Sequence, residues 1–134
     1  MMKATFNVID IVVSEIPAAI AFYARLGLEF TVDDAYPDHA GCDLPNGLHV
    51  MLDTEKFRGS SQTRGWTRPS GDPRTFLAFQ FEDPAGVDAK YAELTEAGYT
   101  GVQEPWDAFW GMRYATVVDP DGNGVDLYCP LASK

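Results

Sequence analysis

The sequence predicts an α+β fold: two tandem βαβββ modules, at about residues 5–53 and 75–130, that together form a concave mixed sheet. The first observation behind this prediction is that two helix signals of the same design lie about 70 residues apart. The second is that one strand-like segment precedes each helix and three follow it. The third is a final hairpin, Arg113–Tyr128, in which β-branched residues flank a compact acidic turn.

Each predicted strand is a short run of apolar and β-branched residues bounded by turn residues. Those of the first module are Phe6–Val13, Leu28–Val32, Gly41–Leu44 and Leu48–Asp53, and those of the second are Thr75–Glu82, Tyr99–Gln103, Met112–Asp119 and Gly124–Cys129. Pro45-Asn46-Gly47 predicts a turn between the last two strands of the first module, and Asp119–Gly124 predicts one in the second.

The two helices share their start and stop signals. The first, Pro17–Leu26, has proline in its first turn and Gly27 as a left-handed stop. In the second, Asp83 caps, Pro84 opens and Gly98 closes the helix. The helices should cover one face of the sheets, through Ile9, Ile11 and Val13 in one module and Leu77, Phe79 and Phe81 in the other. The opposite faces should then curve around a shared concavity, which we expect to hold the site.

Thr54–Arg74 is rich in Ser, Gly, Arg and Pro and follows neither the helix nor the strand period. We therefore predict a long loop that acts as a mobile lid, between two modules of a single domain spanning residues 1–134.

Composition excludes several classes of protein. Apolar residues form 46% of the 134 residues and aromatic residues 13%, which excludes intrinsic disorder, and no apolar run is long enough to cross a membrane. The net charge of −10 argues against nucleic acid and anionic membranes as partners and favours a cationic ligand, unless the charge serves only solubility. The start of the chain lacks a signal region, so a cytoplasmic protein is expected, with Cys42 and Cys129 as reduced structural thiols.

Three short motifs are distinctive: Asp119-Pro120-Asp121-Gly122-Asn123, the run Trp110-Gly111-Met112-Arg113, and Ala21-Phe22-Tyr23 followed by Leu26-Gly27-Leu28. They resemble motifs of the vicinal oxygen chelate superfamily, which includes glyoxalase I, extradiol dioxygenases and bleomycin resistance proteins. The resemblance covers essentially the whole chain and implies a glyoxalase-like fold.

The resemblance also implies four metal-ligand positions, on the first and last strands of each module. In this sequence they fall at Val8, Met51, Phe76 and Asp126, of which only Asp126 could bind a metal. We therefore expect no metal and no other cofactor. His39 and His49 are interpreted as surface or hairpin histidines, His49 being assigned to the strand face opposite to Met51.

The remaining candidate acid–base groups are Asp126 and Asp10, which shares its strand face with Val8. They are the weak catalytic candidates, and they are also the best remaining pair for a metal.

Aromatic residues provide the candidate ligand-binding surface. Trp66, Trp106 and Trp110 are predicted in or beside loops at the cleft, with Phe76, Met51, Val8 and Tyr128 behind them. Packing inside the fold is the alternative for each tryptophan. Arg113 is predicted to reach a ligand's anionic group or a structural carboxylate, Asp126 or Asp119.

The sequence thus favours a metal-independent, homodimeric protein that binds or sequesters an aromatic natural product, cationic or neutral, such as an antibiotic. The alternative is a lyase, isomerase or dioxygenase that uses Asp126 with Asp10 as acid–base groups or partial metal ligands. A fold copy that serves only protein–protein interaction is the third interpretation.

Overall fold

The computed structural model describes residues 2–132, and the chain divides into two compact units, residues 1–70 and 71–134. Each unit contains one four-stranded mixed sheet, packed against two helices in the first unit and one in the second. The predicted α+β fold of two tandem modules is thus confirmed. Within the described residues, no helix has the length and apolar character required to span a membrane.

The first unit contains four strands and two helices. Its elements are β1 (Val8–Val13), α1 (Ile16–Ala24), β2 (Thr31–Val32), β3 (His39–Asp43), β4 (His49–Thr54) and α2 (Glu55–Ser61). The strand order is β1-β4-β3-β2, with β1 parallel to β4 and the other pairs antiparallel. Proline lies in the first turn of α1 and Gly27 follows it with a φ of 91°, which a residue with a side chain rarely adopts.

The core of the first unit lies between α1 and one face of its sheet. Phe22 and Tyr23 of α1 are fully buried, with ring centroids 4.9 Å apart, and they share the core with Val13 and Leu52. Buried and half-exposed residues alternate along β3 and the first part of β4. One face of this sheet is therefore core, and the other is open.

The second unit repeats the arrangement. Its elements are β5 (Phe76–Gln80), α3 (Pro84–Glu96), β6 (Gly101–Ala108), β7 (Met112–Val118) and β8 (Gly124–Pro130), in the order β5-β8-β7-β6. Asp83 caps α3 by accepting a hydrogen bond from the Gly86 amide at 2.9 Å. The core is formed by fully buried residues of α3, β7 and β8: Val87, Leu94, Ala115, Val117, Val125 and Leu127.

Two predicted elements were wrong. Residues 54–74 are not a loop throughout, because Glu55–Ser61 form α2, which Thr54 caps by accepting a hydrogen bond from the Phe57 amide at 3.0 Å. Strand β6 continues to Ala108, so Trp106 lies in a strand and not in a loop. Two irregularities in its pairing with β7 accommodate Pro105, as an edge strand allows.

The acidic turn between β7 and β8 is organised by Asp119, which is 3% exposed. Its Oδ1 accepts hydrogen bonds from the amides of Asp121 and Asn123 at 2.8 and 2.9 Å. Its Oδ2 accepts a third, from Asn123 Nδ2, at 2.9 Å. The Asp119 side chain thus satisfies local backbone amides, as is common for aspartate in turns.

Asp119→Ala should lower the free energy of unfolding by about 2–4 kcal/mol, because it removes a buried carboxylate that accepts three hydrogen bonds. Urea denaturation at pH 7 measures the loss. Asn46→Ala is the matched control in the first unit, where one exposed hydrogen bond to the Leu48 amide is removed, and it should cost less than about 1 kcal/mol. Equal losses for the two variants would contradict the assignment of Asp119 as the organiser of its turn.

Candidate functional site

The open face of the second sheet, which is the face opposite α3, carries most of the predicted binding residues. It is formed by alternate residues of β5, β7 and β8: Phe76, Ala78, Gln80, Met112, Tyr114, Thr116, Val118, Gly124, Asp126 and Tyr128. The core residues of β7 and β8 point to the other face, against α3.

Aromatic rings form a continuous ladder at one end of this face. Trp110, in the turn between β6 and β7, makes edge contacts with Trp106, Phe109 and Tyr114 at centroid distances of 5.5, 4.9 and 5.4 Å. Tyr114 is stacked on Tyr128 at 6.2 Å. Trp106 and Trp110 keep 37% and 47% of their surface exposed, so these rings are not core residues and can accept a further ring.

Asp126 lies beside the ladder and is held by two hydroxyl groups. Its Oδ2 accepts a hydrogen bond from the Tyr114 hydroxyl at 2.6 Å, and its Oδ1 accepts one from the Thr116 hydroxyl at 2.7 Å. Burial, and then the hydrogen bond to Asp126, raises the pKa of Tyr114 to about 12, so the phenol keeps its proton at neutral pH. Asp126 therefore orients Tyr114 within the ladder.

Phe76 lies across Gly124 at the other end of the open face. A Cβ built on Gly124 would lie 2.4 Å from Cδ2 of Phe76, so a larger residue there would displace the ring. Phe76 is 44% exposed and extends the apolar surface along β5.

Arg113 does not have the partners predicted from the sequence. Its guanidinium forms two hydrogen bonds with Asp88 of α3, at 2.9 and 3.1 Å, and one with Asp107 at 3.1 Å. Because Arg113 precedes Tyr114 on the same strand, it points to the helix side, away from Asp126. The predicted structural salt bridge thus forms, but with Asp88 and Asp107 instead of Asp126 or Asp119.

The first unit presents a polar cluster on the open face of its own sheet. Asp10 of β1 receives a hydrogen bond from Arg58 Nη2 of α2, and His39 of β3 is bonded through Nδ1 to Asp53 Oδ1 of β4 at 2.7 Å. The Asp53 side chain is 5% exposed and that of Asp10 is 15% exposed. The two pairs form one cluster, because Asp53 also interacts with Asp10.

The surroundings of the Asp10 carboxyl group favour its protonated form. Burial, followed by a hydrogen bond with Asp53 and repulsion from its charge, raises the pKa of Asp10 to about 6, against the lowering influence of Arg58 and His39. Asp10 Oδ1 is buried and has no hydrogen-bond donor. Two carboxylates can only accept, so a proton on Asp10 is what allows the pair to form a hydrogen bond.

Both histidines lie in the β3–β4 hairpin, so the hairpin interpretation is confirmed. His39 opens an inner strand of the sheet and is bonded to a buried carboxylate. His49 was assigned to the wrong face: it lies two residues before Met51, shares its face, and rests against Gly41. Its Nδ1 is bonded at 2.7 Å to Asp43, whose side chain is 91% exposed.

A cavity of about 430 Å³ lies beside the polar cluster. It is lined by Ala35, Tyr36, Pro37, Asp38, His39, Asp53 and Phe57. The sequence interpretation missed this site, although the turn at Asn46 contained a signal for it. Counting outward from Asn46 pairs position 43 with 49 and position 39 with 53, as the hairpin does.

The other predicted binding residues of the first unit are placed as follows. Val8 and Met51 lie on the open face of its sheet, where Met51 pairs with Asp10. Trp66 follows α2 in a segment without helix or strand and is partly buried. The polar cluster therefore adjoins Val8 and Met51, whereas Trp106, Trp110, Phe76, Asp126 and Tyr128 belong to the second unit.

The metal positions implied by the resemblance do not fit a metal. In the first unit they are Val8 and Met51, which supply neither nitrogen nor oxygen. In the second unit they are Phe76 and Asp126. Both carboxylate oxygens of Asp126 already accept hydrogen bonds from hydroxyl groups. Across residues 2–132, no three or more His, Cys, Asp or Glu side chains are grouped to hold a metal ion.

The family model described as Glyoxalase/Bleomycin resistance protein/Dioxygenase superfamily matches residues 5–127, and the chain belongs to this superfamily. The resemblance seen in the sequence motifs is thereby confirmed. Comparison with the curated proteins gave no significant match.

Solved structures agree with this assignment at the level of the fold. A glyoxalase/bleomycin resistance protein/dioxygenase family enzyme from Burkholderia phytofirmans PsJN is 21% identical, with a TM-score of 0.82 over 96% of this chain and 100% of that one. A glyoxalase-related enzyme from Fulvimarina pelagi is 18% identical, with a TM-score of 0.80 over 93% and 87%. A glyoxalase/bleomycin resistance protein/dioxygenase from Nocardioides is 18% identical, with a TM-score of 0.77 over 100% and 88%.

Proposed function

We propose that this chain binds a planar aromatic small molecule, preferably a cation, without a metal, and that it acts by sequestering a natural product such as an antibiotic. The observation that carries the proposal is the half-exposed aromatic ladder of Trp106, Trp110, Tyr114 and Tyr128 on the open face of the second sheet. A flat aromatic guest can add one more ring to such a ladder by stacking or edge contact.

A cationic guest is favoured by two features. The net charge of −10 attracts cations over the whole surface, and tryptophan provides the strongest cation–π acceptor among the side chains. Phe76 adds apolar surface on the same open face. These features favour an aromatic cation over an aliphatic one or an anion.

The experiment is a titration of tryptophan fluorescence with proflavine, a planar cation, and with coumarin, a neutral planar compound. We expect saturable quenching by proflavine and weaker binding of coumarin. Raising the salt concentration should weaken proflavine binding and leave coumarin binding nearly unchanged, because salt screens the field of the acidic chain. The absence of saturable quenching by either compound would reject the proposal.

We also propose that binding needs no metal. Elemental analysis of the purified protein should give less than about one transition-metal ion per ten chains, because three of the four positions implied by the resemblance are Val8, Met51 and Phe76. One metal per chain that disappears in Asp126→Ala would contradict this prediction.

We also propose that the chain associates with a second copy of itself to form a homodimer. Each sheet has two edge strands, and apolar side chains on or next to them, including Phe6, Val8, Phe76 and Val102, are exposed. Light scattering at micromolar concentration should therefore give about twice the chain mass of 14.7 kDa. A stable species of the single-chain mass would contradict a homodimer.

A further inference from the structure

The pairing of His39 with Asp53 fixes which ring nitrogen is free. A carboxylate only accepts hydrogen bonds, so the 2.7 Å contact requires that His39 Nδ1 carry the proton. The lone pair of a neutral His39 is then on Nε2. Because Asp53 is almost completely buried, water cannot easily replace this contact, and the ring orientation is held.

His39 also borders a space that can hold a small molecule. The cavity of about 430 Å³ falls within the usual range for ligand pockets. Tyr36, Pro37 and Phe57 provide apolar walls, and His39 and Asp53 are among its few polar lining groups. An oriented imidazole in the lining of a mostly apolar pocket is suited to proton transfer.

His49 provides an internal comparison. It has the same Nδ1–carboxylate contact at the same 2.7 Å, but its partner Asp43 is almost fully exposed and His49 is not among the residues that line the cavity. The carboxylate contact alone is therefore not distinctive. The burial of the partner and the adjoining cavity distinguish His39.

We propose that the first unit holds a proton-transfer site in which His39 Nε2 is the base, Asp53 is its positioning residue, and the cavity takes a small, largely apolar molecule with an acidic C–H or O–H proton. In the forward step the C–H or O–H bond breaks, the proton passes to Nε2, and the electron pair stays on the substrate. Return of the proton to a conjugated atom completes an isomerisation without a change in atoms or electrons.

Asp10 interacts with Asp53 and is itself bonded to Arg58. Below about pH 6, where Asp10 carries its proton, Asp10 can also donate a hydrogen bond to Asp53. The charged groups next to the pair of His39 and Asp53 are thus Asp10 on β1 and Arg58 on α2, with Asp38 on the cavity wall.

The experiment uses 5-nitrobenzisoxazole, a small planar compound that loses one ring proton to a base. The electron pair of the broken C–H bond forms a nitrile as the N–O bond opens, and the phenolate produced is coloured. At pH 8, the wild-type chain should convert it at least about a hundredfold faster than His39→Gln, the lower end of what a positioned base contributes. His49→Gln should keep the wild-type rate.

Asp53→Asn tests the positioning role through a readout that packing alone would not change. An asparagine amide can donate to Nδ1, which moves the ring proton to Nε2. We expect the rate to fall about tenfold or more. Long-range ¹H–¹⁵N spectra should show neutral His39 protonated at Nδ1 in the wild-type chain and at Nε2 in the variant, with His49→Gln assigning the two histidine signals.

Equal rates for the wild-type chain and His39→Gln, or an equal loss in His49→Gln, would overturn the proposal. A wild-type spectrum with His39 protonated at Nε2 would overturn it independently, even where a variant fails to fold.

Discussion

Trp110→Ala should weaken proflavine binding by tenfold or more while the melting temperature falls only slightly. The ring contacts Trp106, Phe109 and Tyr114 and leaves 47% of its surface exposed, so it can stack with a ligand but contributes little to the core. Removing a stacking ring costs roughly 1–3 kcal/mol of binding, whereas removing a core tryptophan costs about 3–5 kcal/mol of stability. Fluorescence or calorimetric titration and thermal unfolding measure the two effects.

Two further variants show where the ligand lies. Phe109→Ala removes a ring that is 91% exposed and contacts Trp110, so its effect on affinity should be smaller. Trp66→Ala tests the sequence-based prediction that Trp66 also contacts the ligand, and a loss of affinity would support it. If Trp110→Ala melts early and binds normally, the aromatic ladder is packing and the binding proposal is wrong.

Asp10→Asn should make the chain more stable than the wild type at pH 8, by up to about 3 kcal/mol, and should lose this advantage at pH 4. The folded-state pKa of Asp10 is raised from 3.8 to about 6, so folding favours its protonated form. The stability that this group contributes is present below pH 4 and is lost as the pH rises through about 6. Asparagine is neutral at every pH and avoids that loss.

Urea denaturation of both proteins at pH 4, 6 and 8 measures the difference. The gain at pH 8 is reduced to the extent that Arg58 loses its partner, but the 31% exposed side chain of Arg58 can be solvated. Asp43→Asn is the matched control, because Asp43 is also paired but is 91% exposed, and its effect should be small at all three pH values. A loss of stability at pH 8 in Asp10→Asn would contradict the proton-sharing pair.

Most of the fold could be predicted because local signals agreed with each other. Proline at the start and glycine after the end defined α1 and α3, and turn residues at Asn46 and Asp119 defined the two hairpins. The alternation along β7 and β8 placed Ala115, Val117, Val125 and Leu127 in the core and placed Asp126 and Tyr128 on the opposite face. The same alternation identified the open face of the second sheet.

Elements that depend on tertiary contacts could not be predicted in this way. Helix α2 contains Gly59, Ser60 and Ser61, which are poor helix formers, yet it has the Thr54 cap and the contact of Arg58 with Asp10. Strand β6 includes Pro105. Local propensity argues against proline inside a strand, but an edge strand such as β6 tolerates it.

Only part of the polar cluster of the first unit could be predicted from the sequence. The contact of His39 with Asp53 follows from the hairpin register and could have been counted from the turn at Asn46. The contact of Asp10 with Asp53 requires in addition the parallel pairing of β1 with β4, which no turn specifies, and that of Arg58 with Asp10 requires α2. Asp10 was therefore identified as a candidate base without the neighbours that perturb it.

A planar aromatic cation should bind to the open face of the second sheet without a metal. Titration of EDTA-treated protein with proflavine, followed by aromatic ¹³C NMR, measures this binding. We expect saturable shifts at Trp106, Trp110, Tyr114 and Tyr128 that are the same before and after EDTA treatment. Shifts that appear only when a divalent metal is added, or that leave these four rings unaffected, would contradict it.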